Sequence, residues 1–187
     1  MVKDIAEANL YLKQWFPHLN RKNALFKVTS PRDESYNCIA WAMGLNDRWV
    51  DPDEASGHWW PVKYSDINTQ KSREGLLKAF ESMGFRECAN DNIEKHFDKI
   101  ALYYNPLTNE WTHAARVLSP IEYHSKAGKA WDFHHGPGDA LKNNFYSNVS
   151  YGSVYAFMKR PKFFRIISLY HRFSLVREKF MNELRTW

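Results

Sequence analysis

The chain is poor in cysteine: two in 187 residues, Cys38 and Cys88, 50 positions apart and with no Cys-x-x-Cys. That spacing excludes a disulfide scaffold and a cysteine-ligated zinc module, and leaves both thiols free for packing or for chemistry. It also lacks any run of 18 consecutive apolar residues, so no membrane-spanning segment is expected. The opening segment carries acids among its apolar positions and has no secretory apolar core. The chain is therefore expected in the cytosol, or exported without a classical signal peptide. With eight glycines and eight prolines it has no low-complexity linker, and no internal repeat is evident.

Aromatic residues are abundant at 16%, enough for a modest domain to bury a large apolar area. The net charge of +5 is concentrated at one end: residues 159–187 hold eight Lys or Arg against two Glu, so the remainder is close to neutral. We read residues 1–160 as one domain and 161–187 as a basic amphipathic helical extension, an expected docking point for an acidic protein partner. No nucleic-acid motif accompanies that extension, and nucleic acid is not the expected partner.

Helical spacing runs over 4–15, resumes at Cys38 to about Leu45, and is clearest over 69–85, where Leu76, Leu77, Phe80 and Met83 share a face. Strand-like alternation follows over 99–105, 111–118, 121–128 and 129–135, with another strand in "YGSVYAFMKR" and a short helix in "GDALKNNFY". The expected fold class is α+β, with a cysteine-bearing helix packed on an antiparallel sheet.

In "SYNCIAWAMG" a polar run stops at Cys38, where the helical pattern begins. Backbone N–H groups at a helix start favour a thiolate and the oxyanion it would generate. A thiol nucleophile also needs a base, and His113 in "WTHAARV" lies on an expected strand between small alanines. His124, eleven residues on, is the expected group orienting that imidazole, with Asp132 and His134 as competitors. Cys88 is read as packing. Arg116 and Lys126 are read as solvated charges beside the sheet. The tryptophan-rich stretch 49–60 is read either as a cleft wall or as a loop packed by its indoles. His134 and His135 with Asp132 and Asp139 lack a second cluster at metal-ligand spacing, so no metal is expected.

The blocks "YNCIAWAMG", "WWPV", "LLKAFESMGF", "KIALYY", "THAARV", "SKAG" and "YGSVYAFMKR" resemble a bacterial family of small uncharacterised domains. More remotely, the order of cysteine, strand histidine and a polar residue about a dozen positions later resembles NlpC-type papain-like cysteine peptidases. Asn37 and Ile39-Ala40 depart from that pattern, which has Asp and Ser-Gly there. The resemblance implies a papain-like core, Cys38 as nucleophile, His113 as base and His124 as third residue; Asn37, Trp59 and Trp60 are the residues expected at the substrate. It implies hydrolysis or transfer at an amide of a protein or peptide, with no cofactor, in a setting such as a bacterial effector or toxin. The rival expectation is a non-catalytic protein-interaction module.

Overall fold

A computed structural model describes residues 2–53, 57–62, 67–142 and 150–162. The basic extension lies outside these residues, apart from its first two positions, 161 and 162. The element order is α1 (Val2–Trp15), β1 (Phe26–Val28), α2 (Cys38–Met43), α3 (Ile67–Lys71), α4 (Arg73–Ser82), β2 (Arg86–Cys88), β3 (Phe97–Tyr104), β4 (Trp111–Ser119), β5 (Glu122–Lys126), β6 (Asp132–His135) and β7 (Ser153–Pro161). All seven strands join in one antiparallel sheet, in the order β1-β6-β5-β4-β3-β7-β2.

This corrects the expected papain-like core. The sheet is the body of the described protein, and the helices on it are few and short; α2 has only six residues. Its shortness has a local cause. Gly44, at φ 88°, takes the left-handed conformation that closes the helix, and its N–H returns to the carbonyls of Ala40 and Trp41. The segment 69–85, expected as one helix, is two. Ser72 breaks it by capping α4, its hydroxyl accepting from the Gly75 N–H at 3.0 Å. Strands β1 and β2 were not foreseen, because three residues are too few for a period-2 signal.

Strand alternation sorts the core into two faces. On one, Ile100, Leu102, Ala114, Ala156 and Met158 meet Ile39, Ala40 and Met43 of α2 and Leu76 and Phe80 of α4. On the other, Ala101, Tyr103, Ala115, Val117, Tyr123 and Phe133 meet Ala8 and Leu12 of α1 and Phe16 just beyond it. Both faces of β3 and β4 are thus covered, which is why residues 100–103 and 113–115 are buried without interruption.

The loop entering α2 is fastened to β5 and β6 by a buried polar knot. The Tyr36 hydroxyl donates to Asp132 at 2.7 Å. Lys126 Nζ donates to the carbonyls of Asp33 and Ala130 at 2.6 and 2.5 Å, lies 4.0 Å from the Asp132 carboxylate and covers the Tyr36 ring. Lys126 has no exposed surface, so the expectation of a solvated charge is overturned; burial lowers its pKa. Arg116 is half-buried, donating to the Trp41 carbonyl at 2.8 Å with its guanidinium 3.6 Å from the Trp41 ring centre.

Candidate active site

Cys38 opens α2 and is 8% exposed. The preceding Asn37 sets the helix start. Its side-chain oxygen accepts from the N–H of Ala40 at 3.0 Å and of Val50 at 3.4 Å, while its amide nitrogen donates to the Val50 carbonyl. Only 5% exposed and engaged in this way, Asn37 caps the helix and anchors the chain at Val50; the substrate contact expected of it is not what the geometry shows. The backbone amides of Ala114, Ile39 and Cys38, in that order, favour its thiolate. Burial outweighs them, and the thiol is pushed up to about 11.

His113 lies on the α1 face of β4, on the far side of the strand from α2. The sulfur and the imidazole nevertheless share the β4 backbone, because Ala114, whose N–H reaches the thiol, directly follows His113. The β4–β5 pairing covers Arg116, Val117 and Ser119, and β4 extends five residues past His124's partner Arg116, to Trp111. Tyr151 belongs to the same neighbourhood. Its ring stacks on His113 at 3.9 Å, and the charge of a Cys38 thiolate helps to raise its pKa, after the larger effect of burial. Gly152 makes this approach feasible: at φ 71°, a Cβ there would lie 2.0 Å from the Tyr104 carbonyl oxygen.

The His113 ring is fully buried, and burial holds its pKa well below 6.5, so the imidazole is neutral. Its Nε2 lies 2.8 Å from Ser125 Oγ, and its Nδ1 finds no hydrogen-bond partner among the described residues. Ser125 therefore occupies the place expected for His124. The His124 side chain is on the α2 face, where Nε2 meets Thr29 Oγ1 at 2.8 Å and the ring lies edge-on to Trp41 and His134. Asp132 and His134, the other candidates, share the face of His124. Ser125 is not among the residues expected from sequence, because a hydroxyl is a weaker signal than a second histidine.

Trp60 stacks on Trp111, with centroids 6.0 Å apart and planes within 10°, and packs against the cluster that contains Cys38. Trp59 is 36% exposed, with the Arg48 guanidinium 5.6 Å from its ring. One indole is thus part of the wall around the thiol's cluster and the other faces outward. Cys88, half-buried on β2, lies 3.5 Å from the Asn90 carbonyl oxygen, away from this group. Among the described residues no group of three metal-ligating side chains converges, and no helix is long and apolar enough to cross a membrane.

The family model described as a domain of unknown function, DUF7689, matches residues 27–159, so it spans β1, the Cys38 helix, the His113 strand and nearly all of β7. The chain belongs to the DUF7689 family. No curated protein and no solved structure matches it. The DUF7689 match covers Cys38, His113 and Ser125 alike and leaves out α1, which shields the His113 face. Nothing in the match connects DUF7689 with NlpC-type peptidases.

Proposed function

We propose that this DUF7689 domain is a cysteine-dependent hydrolase or transferase acting on an amide bond of a protein or peptide, with Cys38 as nucleophile and His113 as base. The observation that carries this reading is a thiol at the start of α2 whose thiolate is favoured by the Ala114 amide, next along β4 to the neutral imidazole of His113, whose Nδ1 is unpartnered among the described residues. A neutral thiol and a neutral imidazole need a concerted step. Because His113 starts on the opposite face of β4, the step requires its ring to swing within reach of the sulfur. Nδ1 then takes the thiol proton as sulfur attacks the carbonyl carbon, and the amides that favour the thiolate steady the developing oxyanion. The imidazolium returns the proton to the leaving amine, and water or a second amine releases the acyl group from sulfur. The order of cysteine, histidine and a polar residue twelve positions on is similar to that of NlpC-type peptidases, and it is carried here by a different fold.

The test is acylation by p-nitrophenyl acetate, followed by nitrophenolate release and intact mass. A single acetyl group on Cys38, lost in Cys38→Ala and strongly slowed in His113→Ala, is the expected result. Equal rates in wild type and His113→Ala would remove the base, and an unmodified Cys38 would remove the nucleophile. The 8% exposure of Cys38 favours one alternative, a non-catalytic protein-interaction module in which the thiol only packs. That alternative expects both negative outcomes.

A further inference from the structure

Behind His113 the side chains continue in a line that the reaction does not by itself require. Ser125 Oγ lies 2.8 Å from His113 Nε2 and 2.7 Å from His135 Nε2, and His135 Nδ1 lies 2.7 Å from the Gly136 carbonyl oxygen. His113, Ser125 and His135 are all fully buried, on β4, β5 and β6 respectively. We propose that this line is a proton-ordering chain that leaves His113 as the Nε2–H tautomer with Nδ1 bare, making Ser125 and His135 positioning residues of the site.

The ordering follows from one atom that can only accept. The Gly136 carbonyl has no hydrogen, so the contact at His135 Nδ1 is a hydrogen bond only if Nδ1 carries the proton. A neutral imidazole has one N–H, so His135 Nε2 is then a bare acceptor. Ser125 must give its single hydroxyl hydrogen to that nitrogen. Its lone pairs are left to accept from His113, so the proton of His113 is on Nε2. The remaining nitrogen, His113 Nδ1, carries a lone pair and is the unpartnered atom. Burial supports the neutral form of both rings, lowering His113 well below 6.5 and His135 to about 4. The opposite proton order would set a lone pair of the fully buried His135 against the Gly136 oxygen, a repulsion that is costly away from solvent.

The surroundings hold this order in place. Around His113 the titratable neighbours are Tyr103 from β3, Tyr151 ahead of β7, and His135 through Ser125. Around His135 they are Tyr123 from β5 and the adjacent His134. Tyr103, Tyr123 and Tyr151 all have pKa values raised by burial, so they remain uncharged at neutral pH. Phe133, 5.4 Å from the His135 ring centre, fixes its tilt. Use of the bare nitrogen as a base rests on the Cys38 reading above; the proton order itself does not.

Long-range proton–nitrogen NMR of the full chain labelled with ¹⁵N-histidine reads both tautomers at pH 7. The expected pattern is Nε2–H for His113 and Nδ1–H for His135, and Nδ1–H at His113 would overturn the proposal without any variant. His135→Leu removes the acceptor for Ser125. It should shift His113 toward its other tautomer, slow Cys38 acetylation by roughly 10–100-fold and change its pH profile, by analogy with the removal of an orienting partner elsewhere. His135→Gln, whose amide oxygen still accepts from Ser125, should restore most of the rate; if both variants behave alike, the ordering role is refuted. Should His135→Leu fail to fold, Ser125→Ala against Ser125→Thr makes the same comparison. An absent acetylation with the expected tautomers sinks the enzyme reading and leaves the chain standing. Normal acetylation with the wrong tautomer does the reverse.

Discussion

The same three strands carry two rows of polar side chains, one on each face. On the α1 face His113, Ser125 and His135 are fully buried and bonded in line. On the α2 face Arg116, His124 and His134 are only half-buried, and each leans on a group outside the row: Trp41, Thr29 and Glu122. The residue types are alike and the spacing nearly so, yet the rows differ in what they can do. The buried row is shut away from solvent, so its protons are fixed by its hydrogen-bonded neighbours. The half-buried row can exchange partners with solvent, and a change there is compensated locally.

The largest separation is expected in packing. Phe133 is fully buried beside Phe16, Phe26 and His135, and Phe133→Ala should cost about 3–5 kcal/mol in urea unfolding, the usual range for a buried aromatic. Truncating Trp41, half-buried against His124 and Arg116, should cost distinctly less. Equal losses would mean that the two faces are equally constrained.

Reactivity gives the next largest. His113→Ala should slow acetylation of Cys38 by about 100-fold or more, the ordinary contribution of a general base, whereas His124→Ala should stay within a few-fold of wild type. The reverse result would return the orienting role to His124 and break the comparison at its centre.

These two rows also show what the sequence carried and what it did not. The alternation in "THAARV" correctly separates His113 from Ala114 and Arg116, because nothing interrupts β4 between them. What could not be counted was parity across the turn into β5. The pairing joins Arg116 with His124 and Val117 with Tyr123, then slips between Val117 and Ser119. A one-residue slip exchanges the faces, so the choice between His124 and Ser125 was set by a bulge that periodicity does not report. The fold departs from the expected papain-like core for a related reason. The helical signal of Cys38 to Leu45 is genuine, but its weight in the architecture depends on how many strands assemble around it, and β1 and β2 are too short to announce themselves. Lys126 was misplaced because composition cannot show that two carbonyls and Asp132 converge on its amine.

Acid should sharpen the contrast further. His135 is lowered to about 4 in the folded chain from 6.5, so between those values the unfolded chain binds more protons. Its contribution to stability is complete above pH 6.5 and declines as pH falls toward 4, with a limiting slope of about 1.4 kcal/mol per pH unit for one fully buried histidine. Asp132, raised by burial, works in the opposite direction at the acidic end, so the difference between wild type and His135→Gln isolates the histidine. That difference should grow from pH 4 to 6.5 and then level off in urea titrations. A flat difference would mean that His135 is reached by water.

The smallest effect belongs to the half-buried row. Thr29→Ala removes the hydroxyl that meets His124 Nε2 at 2.8 Å. Thr29 is exposed and His124 half-buried, so water can replace the lost partner and the cost should be about 0.5–1 kcal/mol in urea unfolding. The matching deletion in the other row, Ser125→Ala, strands two ring nitrogens in a dry core and should cost about 2–3 kcal/mol by the same measurement. The contrast lies in the cost per contact, since each variant deletes one hydroxyl, from one imidazole contact at Thr29 and from two at Ser125, and the contacts differ chiefly in access to solvent. If the two losses were equal, burial would not be what distinguishes the rows, and the neutrality assigned to His113 would lose its physical basis.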